Sequence, residues 1–380
     1  MIYGLVSEFN PFHNGHKWLI DKVKTENDMV VTVMSSSFVQ RGDISIISKM
    51  DRTFASLKNG VDLVLELPSV YSLSSAEDFG KSSIEILKGT NIIDKVVFGS
   101  ECGDVDLLKK GISALKDENV QNIIKENMNK GVTYPKAIHN SILELYSDEI
   151  ANLFDGSNNI LGMEYLKSLE NSNISAITFS RKGAGHNDEF SSGDFASGSY
   201  IRDNYSSREL YTPKYPIIDT AKIENIEKII LYKLSSMTEN DLRNIPDVQE
   251  GFENRIIKVV QNTNNFNELC EKLKTKRYTM SRIRRIICRA ILGIDNSVKG
   301  ISVPYIRVLG FTEKGSKLLK EIKEYGTLPL ITNVKTGYDN LDNNGKKILE
   351  IENLATRLWS LASCNNTILN NEFTQQIIKG

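Results

Sequence analysis

Up to about residue 205, the chain alternates short runs of aliphatic residues with longer stretches in which apolar residues recur every three or four positions. The short runs predict buried strands and the longer stretches predict amphipathic helices. The predicted strands are Ile2 to Ser7, Met29 to Met34, Asp62 to Leu67, Lys95 to Gly99 and Ser175 to Phe179. The predicted helices are Gly15 to Lys24, Lys49 to Lys58, Ala76 to Leu87 and Ile160 to Leu169, with a helical insertion over about 105–150. This alternation predicts an α/β fold with a doubly wound parallel sheet.

The pattern changes after residue 205, where TPKYPIIDTAK contributes two prolines and a polar joint. Most of the chain beyond this joint has helical periodicity, which predicts a domain boundary there, with residues 1–205 in the first domain and a mainly α-helical domain over 206–380. One strand–helix–strand pattern remains in this second half. Its first strand would carry Val303, Tyr305 and Val308, and its last strand would run from Leu328 to Val334.

Composition narrows the class of protein. With 380 residues and 40% hydrophobic content, the chain can bury a substantial core. No apolar run approaches the roughly 18 residues that a membrane span requires. Four cysteines without CxxC spacing, and a start that lacks the features of a signal peptide, favour a reducing cytoplasm. Forty-seven basic residues against 48 acidic ones exclude a uniformly basic nucleic-acid coat, but they allow a local basic patch.

The strongest chemical signal is NPFHNGHKWLI, directly after the first predicted strand and at the start of the first helix. Unpaired N–H groups and a partial positive charge at a helix start favour phosphate oxygens. Gly15 would let the backbone approach a phosphate closely. His13 and His16 would donate hydrogen bonds to charge that develops on phosphorus in a transition state.

Two other interpretations compete for the histidines. An HxxH pair can be half of a metal site, but no third ligand is near in sequence and the other histidines are His139 and His186, so no metal site is predicted. The histidines could also cap the helix. A cap needs one polar side chain, however, and two imidazoles around a glycine exceed that need.

A second cluster lies in ASGSYIRDN, near the end of the first half. Ser197 and Ser199 at a helix start, with Arg202 one turn later, form another candidate phosphate cradle. Alone it is weak evidence, because serines commonly cap helices. Together with the histidine motif it predicts two anion sites on one nucleotide-binding sheet, one for an α-phosphate and one for departing pyrophosphate.

The combination of HNGH and SGSYIR resembles the HxGH nucleotidylyltransferase superfamily, whose members cleave ATP between the α- and β-phosphates on a Rossmann-like fold. A more specific resemblance extends over nearly the whole chain. In order, the segments GLVSEFNPFHNGHKWLI, SSSFVQRGD, FGSECGD, NNILGMEYLKSL, SRKGAGHND and TKRYTMSRIRRIICRAILGI are similar to those of the tRNA(Met) cytidine acetate ligase family.

This resemblance implies a two-step reaction. ATP, expected with Mg²⁺, and acetate would give acetyl-adenylate and pyrophosphate, and the wobble cytidine of elongator tRNA(Met) would then take the acetyl group to form N⁴-acetylcytidine. The catalytic residues implied are His13, His16, Ser199 and Arg202. The ATP-binding residues implied are Ser7, Glu8, Phe9, Asn10, Pro11, Phe12, His13, Asn14, Gly15, His16, Lys17, Trp18, Leu19, Ile20, Gly99, Asn159 and Arg181.

Several of these residues have a physical role to match. Gly99, chosen over Gly103, ends a predicted strand where a base or ribose could lie against the backbone. Asn159 can pair with a sugar or base edge, and Arg181 can pair with phosphate oxygens. Phe12 and Trp18 are expected to pack beneath the phosphate loop.

Weaker candidates lie in two loops. In FVQRGD, Gln40 and Arg41 could orient a small carboxylate, and a turn closed by Gly42 and Asp43 explains the segment equally well. His186 lies in the loop that comes after Arg181, and this position favours a role for His186 in the nucleotide site. His139 lies in a helical stretch and is assigned no role.

A basic segment in the second half suggests a nucleic-acid partner. Residues 272–289 contain eight Lys or Arg and no acid. On a helix, the isoleucines would face inward and the arginines would share another face. An ordinary solvated face is the alternative, although such faces usually intersperse acids. Tyr278 could stack on an unpaired base. The residues predicted to bind tRNA are Lys274, Lys276, Arg277, Arg282, Arg285 and Arg289.

Two other function classes compete with the ligase. One is a small-molecule adenylyltransferase acting on a phosphorylated cofactor precursor, for which the arginine face would be dispensable. The other is a non-catalytic RNA-binding protein with a degenerate nucleotide site. The presence of His13, Gly15, His16 and Arg202 argues against the second of these.

Overall fold

A computed structural model describes residues 1–181, 193–249, 251–365 and 370–380. All five strands predicted in the first half are present, each within about one residue of its expected bounds. The strands are β1 Ile2–Ser7, β2 Met29–Ser35, β3 Phe38–Val39, β4 Asp43–Ile44, β5 Leu63–Leu67, β6 Lys95–Ser100, β7 Ser175–Ser180, β8 Ile306–Phe311, β9 Leu330–Ile331 and β10 Ile378–Lys379.

The main sheet has the strand order β10-β8-β5-β2-β1-β6-β7, and β9 pairs with β8. Strands β5, β2, β1, β6 and β7 are parallel to one another, as the alternating pattern predicts. Strand β8 adds an antiparallel neighbour to this parallel core, because it runs against β5 and pairs Leu63 with Phe311. Parallel sheets often carry an antiparallel strand near one side, so the doubly wound core of the prediction is kept.

Helices cover both faces of this sheet and build the second half. In the first half they are α1 Asn14–Val23, α2 Lys49–Lys58, α3 Ser69–Ser72, α4 Ala76–Thr90, α5 Val105–Lys116, α6 Glu118–Asn129, α7 Tyr134–Leu145, α8 Asp148–Ala151, α9 Ser157–Leu169 and α10 Gly198–Asp203. In the second half they are α11 Glu227–Ser236, α12 Glu239–Arg243, α13 Phe252–Val260, α14 Phe266–Leu273, α15 Met280–Leu292, α16 Glu313–Tyr325, α17 Val334–Asp339 and α18 Asn343–Ala362. The predicted helices and the helical insertion are confirmed. Among the described residues, no helix has both the length and the apolarity needed to cross a membrane.

The strand–helix–strand pattern of the second half is present as β8, α16 and β9. Its bounds differ from the prediction, because Val303 and Tyr305 precede β8 and the last strand is only Leu330–Ile331. Its first strand joins the sheet of the first half through β5, and β10 extends that sheet further. The boundary expected near residue 205 stays a prediction, and one sheet contains strands from both sides of it.

A buried ionic cluster fastens the second half to the sheet. Lys49 at the start of α2 and Arg307 on β8 lie among the carboxylates of Glu66, Glu352 and Glu372. Lys49 Nζ is 2.5 Å from Glu66 Oε1, and Arg307 Nη1 is 2.9 Å from Glu66 Oε2. The three carboxylates are close enough together to suggest a cation site. The two basic side chains already balance most of their charge, so this is a network of ion pairs that joins distant parts of the chain.

Candidate active site

A cleft of about 260 Å³ is lined by the end of β1 and the loop after it, by the end of β6, and by the starts of α1 and α10. In doubly wound sheets, ligands bind outside the carboxyl ends of the parallel strands, and this cleft has that position. It brings together sequence-predicted residues that are nearly 200 positions apart. The predicted residues that line it are Ser7, Glu8, Phe9, Asn10, Pro11, His13, Gly15, His16, Trp18, Leu19, Gly99, Arg181, Ser199 and Arg202.

Four residues of the predicted run from Ser7 to Ile20 support the cleft from outside its described lining. Phe12 and Ile20 are packed beneath it in an apolar cluster, which confirms the packing role expected of Phe12. Lys17 pairs with Asp21 on the exposed side of α1. Asn14 Nδ2 donates to the carbonyl of Asp194 at 2.9 Å. Trp18, also expected to pack, is half-buried; it packs against the same apolar cluster and also lines the cleft.

His13 and His16 form the N-terminal cap of α1. His13 Nδ1 accepts a hydrogen bond from the Gly15 N–H at 3.1 Å, and His16 Nδ1 accepts one from the His13 N–H at 3.2 Å. The two rings stack with their centroids 3.7 Å apart. A Cβ at position 15 would lie 2.9 Å from the His13 ring. Glycine is therefore needed there, because a larger residue would displace the capping ring. The capping interpretation is therefore correct for both histidines, and it accounts for only one nitrogen of each ring.

The remaining nitrogens define what the histidines can do. Burial, aided by the nearby Arg181 and Arg202 guanidinium groups, lowers the pKa of His13 to about 3. Burial, followed by the neighbouring His13 and Arg181, lowers the pKa of His16 well below its usual value. Both rings are thus neutral near pH 7. Because each Nδ1 accepts a backbone N–H, the proton of each neutral ring is assigned to Nε2. Both imidazoles are therefore hydrogen-bond donors without permanent charge.

The second predicted cluster lies against the same loop. Ser197 caps α10 by accepting from the Tyr200 N–H at 3.1 Å. Arg202 Nη1 donates to the carbonyl of Asn10 at 2.7 Å, and its Nη2 donates to Ser199 Oγ at 3.2 Å. The guanidinium thus joins α10 to the loop after β1. With Arg181 on the cleft lining, two cationic side chains are available near the histidine cap.

Gly99 and Gly103 have different roles. Gly99, on the cleft lining, would bring a Cβ to 3.2 Å from Arg181 Cγ, so a side chain there would crowd the arginine. Gly103 adopts a φ of 66° and packs against the backbone of Ser180. Gly99 thus lines the cleft and Gly103 does not, and the nucleotide contact of Gly99 stays a prediction.

Asn159 lies behind the lining. It is buried, and its Oδ1 accepts from the Glu101 and Cys102 backbone N–H groups at 3.0 and 3.1 Å. Glu101 in turn accepts from the backbone of Asn158 and Asn159 at the start of α9. Asn158 lines the cleft. The structure therefore gives Asn159 a positioning role between β6 and α9, and the residue that faces the cleft is its neighbour in sequence.

An arginine without a sequence signal holds two loops of the site from behind the cleft lining. Arg52 is completely buried on α2. Its Nη1 donates to the carbonyls of Glu8 and Ser35 at 2.6 and 2.8 Å, so it ties the loop after β1 to the loop after β2. Burial lowers its pKa to about 10, which leaves it charged near neutral pH. No local motif marks this residue, because its partners are backbone carbonyls from distant segments.

Apolar walls and one further loop complete the cleft. The walls include Phe79, Phe98, Leu161 and Tyr165, which form parts of predicted helices and strands and carry no separate sequence signal. Gln40 and Arg41, the candidates for orienting a small carboxylate, also line it. They form the tip of the β3–β4 hairpin, and Gly42 adopts a φ of 76° there. Both interpretations of FVQRGD therefore remain compatible with the structure, since the turn presents the two side chains.

The β3–β4 hairpin packs directly on α15, the helix of the basic segment. Arg284 Nη2 donates to Asp43 Oδ2 at 2.6 Å, and Arg285 Nη1 donates to the carbonyl of Gln40 at 3.3 Å. A Cβ at Gly42 would lie 2.4 Å from the Arg285 backbone nitrogen. The backbone of the hairpin, whose tip lines the cleft, is thus in close contact with the backbone of the basic helix.

The basic segment itself divides into exposed and buried parts. Lys274, Lys276 and Arg277 are exposed on the loop before α15. The aromatic residue of that loop, Tyr278, is buried. Arg282 and Arg285 are half-buried on the helix. The placement of Arg289 on the same open face is corrected, because only 5% of it is exposed and its Nη1 is 2.6 Å from Asp247.

The predictions for Tyr278 and for the two remaining histidines can also be compared with the structure. Tyr278 is buried and stacks on Phe252 with ring centroids 3.7 Å apart, which corrects its expected stacking on a base. His139 lies 3.1 Å from the Asp155 carboxylate in the helical insertion. His186 lies outside the described residues.

Comparison with known proteins gives matches over essentially the whole chain. The model of the HIGH Nucleotidyl Transferase family matches residues 1–374. The tRNA(Met) cytidine acetate ligase of Thermoanaerobacter sp. strain X514 is 39% identical over 402 aligned positions, which cover 100% of this chain and 99% of that protein. The protein of the same name from Caldanaerobacter subterraneus subsp. tengcongensis is 40% identical, with 99% of each chain covered.

Solved structures agree with these sequence matches. The apo crystal structure of Thermotoga maritima TmcAL superposes with a TM-score of 0.90 at 27% identity, covering 100% of this chain and 99% of that one. A crystal structure of the same protein bound with alpha-thio ATP gives a TM-score of 0.87 with the same coverage. The fold and the sequence matches thus point to the same group of proteins.

Proposed function

The chain belongs to the HIGH nucleotidyl transferase family and to the tRNA(Met) cytidine acetate ligases within it, and from this premise we propose that it is an ATP-dependent ligase that acetylates tRNA. It activates acetate as acetyl-adenylate with release of pyrophosphate. It then transfers the acetyl group to the exocyclic amine of the wobble cytidine of elongator tRNA(Met). One observation carries this proposal: a single cleft combines two neutral imidazole donors at a helix start with Arg181 and the Arg202–Ser199 pair.

In the first step, an acetate oxygen attacks the α-phosphorus of ATP and pyrophosphate leaves. The Nε2–H groups of His13 and His16 donate to oxygens on which charge develops, and they need no reorganisation because the helix cap fixes both rings. Arg181 and Arg202 supply the positive charge that the departing phosphates require. Neutral donors between two arginines stabilise the transition state without binding the ground-state triphosphate too tightly.

Acetate is expected at the tip of the β3–β4 hairpin. Gln40 and Arg41 line the cleft there, and a guanidinium matches a carboxylate in shape and charge. This placement supports the assignment of the small carboxylate to FVQRGD.

Mg²⁺ is expected to accompany ATP. Mg²⁺ in nucleotide sites is held largely by substrate phosphates and keeps several waters, and the described lining of the cleft offers no cluster of carboxylates that would hold the ion by itself. The residues that line the cleft therefore fit a metal carried mainly by ATP itself. Its chemistry would be to neutralise charge on the triphosphate.

For the second step the target base must leave its stack, because an amine inside a helix cannot reach an acyl group in a cleft. The exposed basic loop with Lys274, Lys276 and Arg277 would hold tRNA phosphates. That loop leads into α15, which contacts the hairpin whose tip lines the cleft. ATP and tRNA are both cytoplasmic substrates, so the enzyme is expected to act in the cytoplasm.

The proposal is tested by incubating the protein with tRNA, ATP and ¹³C-acetate, with nucleoside analysis by mass spectrometry afterwards. The expected product is labelled N⁴-acetylcytidine in elongator tRNA(Met), with AMP and pyrophosphate formed in equal amounts. A matched reaction with His16→Ala should give no label. Absence of labelled acetylcytidine with the unaltered protein would overturn the proposal.

A further inference from the structure

Glu8 carries the one carboxylate among the described residues that line the cleft. It comes directly after β1, and its Oε1 accepts the backbone N–H of Gln40 at 2.7 Å. Among the described residues, Oε2 has no hydrogen-bond donor. The described residues therefore hold this carboxylate by a hydrogen bond at one oxygen only, and the Arg41 guanidinium lies near enough to interact with its charge.

The transfer step needs a proton acceptor, and the other polar side chains of the described lining are poor candidates. The Nδ1 atoms of His13 and His16 already accept backbone hydrogen bonds, and their Nε2 atoms already carry hydrogen. Ser199 Oγ accepts from Arg202, and arginine does not deprotonate. Burial raises the pKa of Tyr165, which keeps its hydroxyl protonated. Glu8 remains.

The backbone around Glu8 is fixed on both sides. Phe9 is completely buried with a φ of 45°, a conformation that a bulky residue adopts only where its surroundings impose it. Arg52 holds the carbonyl of Glu8 at 2.6 Å. Gln40, which holds the Glu8 carboxylate through its N–H, is itself held through its carbonyl by Arg285 of α15. The carboxylate is thus positioned by the hairpin that contacts the basic helix.

We propose that Glu8 is the catalytic base of acetyl transfer, an inference that rests on the proposed function. Glu8 Oε2 accepts a hydrogen bond from the exocyclic amine of the target cytidine, a pairing that carboxylates make with cytosine. The amine nitrogen attacks the acetyl carbonyl carbon, so a C–N bond forms. The bond from that carbon to the AMP oxygen breaks, and AMP leaves with the electron pair. The amine proton passes to Glu8 and later to water.

A base is needed because the lone pair of this amine is delocalised into the cytosine ring. The attacking nitrogen becomes acidic only as the new bond forms, and general bases contribute about 10²- to 10⁴-fold to such steps. Formation of the adenylate has no such demand, since acetate attacks as an anion. Loss of Glu8 should therefore separate the two half-reactions.

The experiment compares Glu8→Gln with the unaltered enzyme in two assays. In the first, hydroxylamine traps acetyl-adenylate as acetohydroxamate, because hydroxylamine is nucleophilic without a base. In the second, acetylcytidine is measured in tRNA at saturating tRNA. We expect the ratio of tRNA acetylation to acetohydroxamate formation to fall by about 100-fold or more in Glu8→Gln, because only the transfer step needs the base. Glu8→Asp, which keeps a carboxylate, should acetylate faster than Glu8→Gln. Glu170→Gln, which alters an exposed acid paired with Lys116, serves as the matched control and should behave as the unaltered enzyme in both assays.

Each other outcome has a distinct meaning. Acetylation by Glu8→Gln at the unaltered rate would overturn the inference, as would equal loss of both products in Glu8→Gln and Glu8→Asp, because Glu8 would then serve adenylate formation. If the unaltered enzyme forms no acetohydroxamate from acetate and ATP, the proposed function fails, and this inference fails with it.

Discussion

His13 and His16 each use one ring nitrogen to begin helix α1 and present the other to the cleft. This division of work explains why the motif needs imidazole. Serine or aspartate would cap the helix as well, but neither has a second, opposite donor. The sequence predicts a phosphate site here because two histidines surround a glycine at a strand-to-helix junction. It does not predict the tautomers, which depend on backbone hydrogen bonds that only the folded loop provides.

Capping and donation can be separated by substitution at position 13. Asparagine caps helices well, so His13→Asn should keep most of the stability while losing the Nε2–H donor. His13→Ala should lose both, with an additional cost of about 1 kcal/mol in the free energy of unfolding. We expect acetate-dependent exchange of labelled pyrophosphate into ATP to fall by about 100-fold or more in both variants. Urea unfolding measures the stability difference. Equal stability of the two variants would show that His13 does not cap the helix.

The buried imidazoles also predict how stability depends on pH. The pKa of His13 is lowered from 6.5 to about 3, so between these values the unfolded chain takes up a proton that the folded chain excludes. The free energy of unfolding should therefore decline as the pH falls below 6.5. At pH 5 the contribution of His13 to this decline is about 2 kcal/mol. His13→Asn should show a smaller loss between pH 7 and pH 5 in urea titrations. An identical slope in both proteins would contradict the burial of a neutral ring.

Arg289 and Arg52 show what periodicity can and cannot provide for single residues. The spacing of Arg282, Arg285 and Arg289 correctly assigns them to one side of a helix. Whether that side is open depends on what packs over it, and the segment around Asp247 covers Arg289. No sequence pattern marks Arg52, because it donates hydrogen bonds to backbone carbonyls of two segments that come together only in the folded chain.

The β3–β4 hairpin is the element that couples the cleft to the second half. Its tip approaches α15 so closely that Gly42, with a φ of 76°, has no space for a side chain. The sequence predicts a turn in FVQRGD and a helix in the basic segment. It cannot predict that they touch, since the two are about 240 residues apart and joined by tertiary packing alone.

Gly42→Ala tests this contact, and Gly131→Ala is its matched control. Both glycines have left-handed φ values, of 76° and 84°, but no atom lies within 4 Å of a Cβ at Gly131. The conformational cost of about 1–2 kcal/mol is therefore shared. Gly42→Ala should cost a further 1–3 kcal/mol, roughly, from overpacking against α15, and should reduce tRNA acetylation. Urea unfolding and the acetylation assay measure the two effects. Equal destabilisation by both substitutions would mean that the hairpin yields without cost.

The loop before α15 carries the prediction for tRNA binding. Lys276 and Arg277 are exposed, whereas Arg285 is engaged with Gln40 and Arg289 with Asp247. Charge reversal of Lys276 and Arg277 to Glu should weaken tRNA binding and lower the dependence of log affinity on log salt by about two units. Acetohydroxamate formation should not change, because both residues lie outside the cleft lining. Filter binding at several salt concentrations measures the slope. An unaltered slope would move the tRNA contact elsewhere.

At the scale of the whole molecule, the sequence predicts the parallel core because buried strands and helices alternate in it. It does not predict that the sheet continues through β8 and β10. Strand β8 is correctly expected as part of a local strand–helix–strand unit. Its partner, β5, is about 240 residues earlier, and nothing in a run such as LVLEL distinguishes a strand with one neighbour from a strand with two. Antiparallel pairing between the halves is therefore visible only in the fold.

This shared sheet predicts that residues 1–205 do not fold alone. The fragment would lose β8 from the open side of β5, and it would keep Lys49 and Glu66 without Arg307, Glu352 and Glu372. Breaking a buried ion pair costs about 3–5 kcal/mol, which is comparable with the whole stability of a typical domain of about 5–15 kcal/mol. We expect the fragment to lack a cooperative unfolding transition by circular dichroism. Co-expression with residues 206–380 should restore that transition, because the second fragment supplies β8 and the three missing charges together. A fragment that unfolded cooperatively by itself would show that the ion-pair cluster and β8 are additions to an independent domain, and it would support the boundary near residue 205.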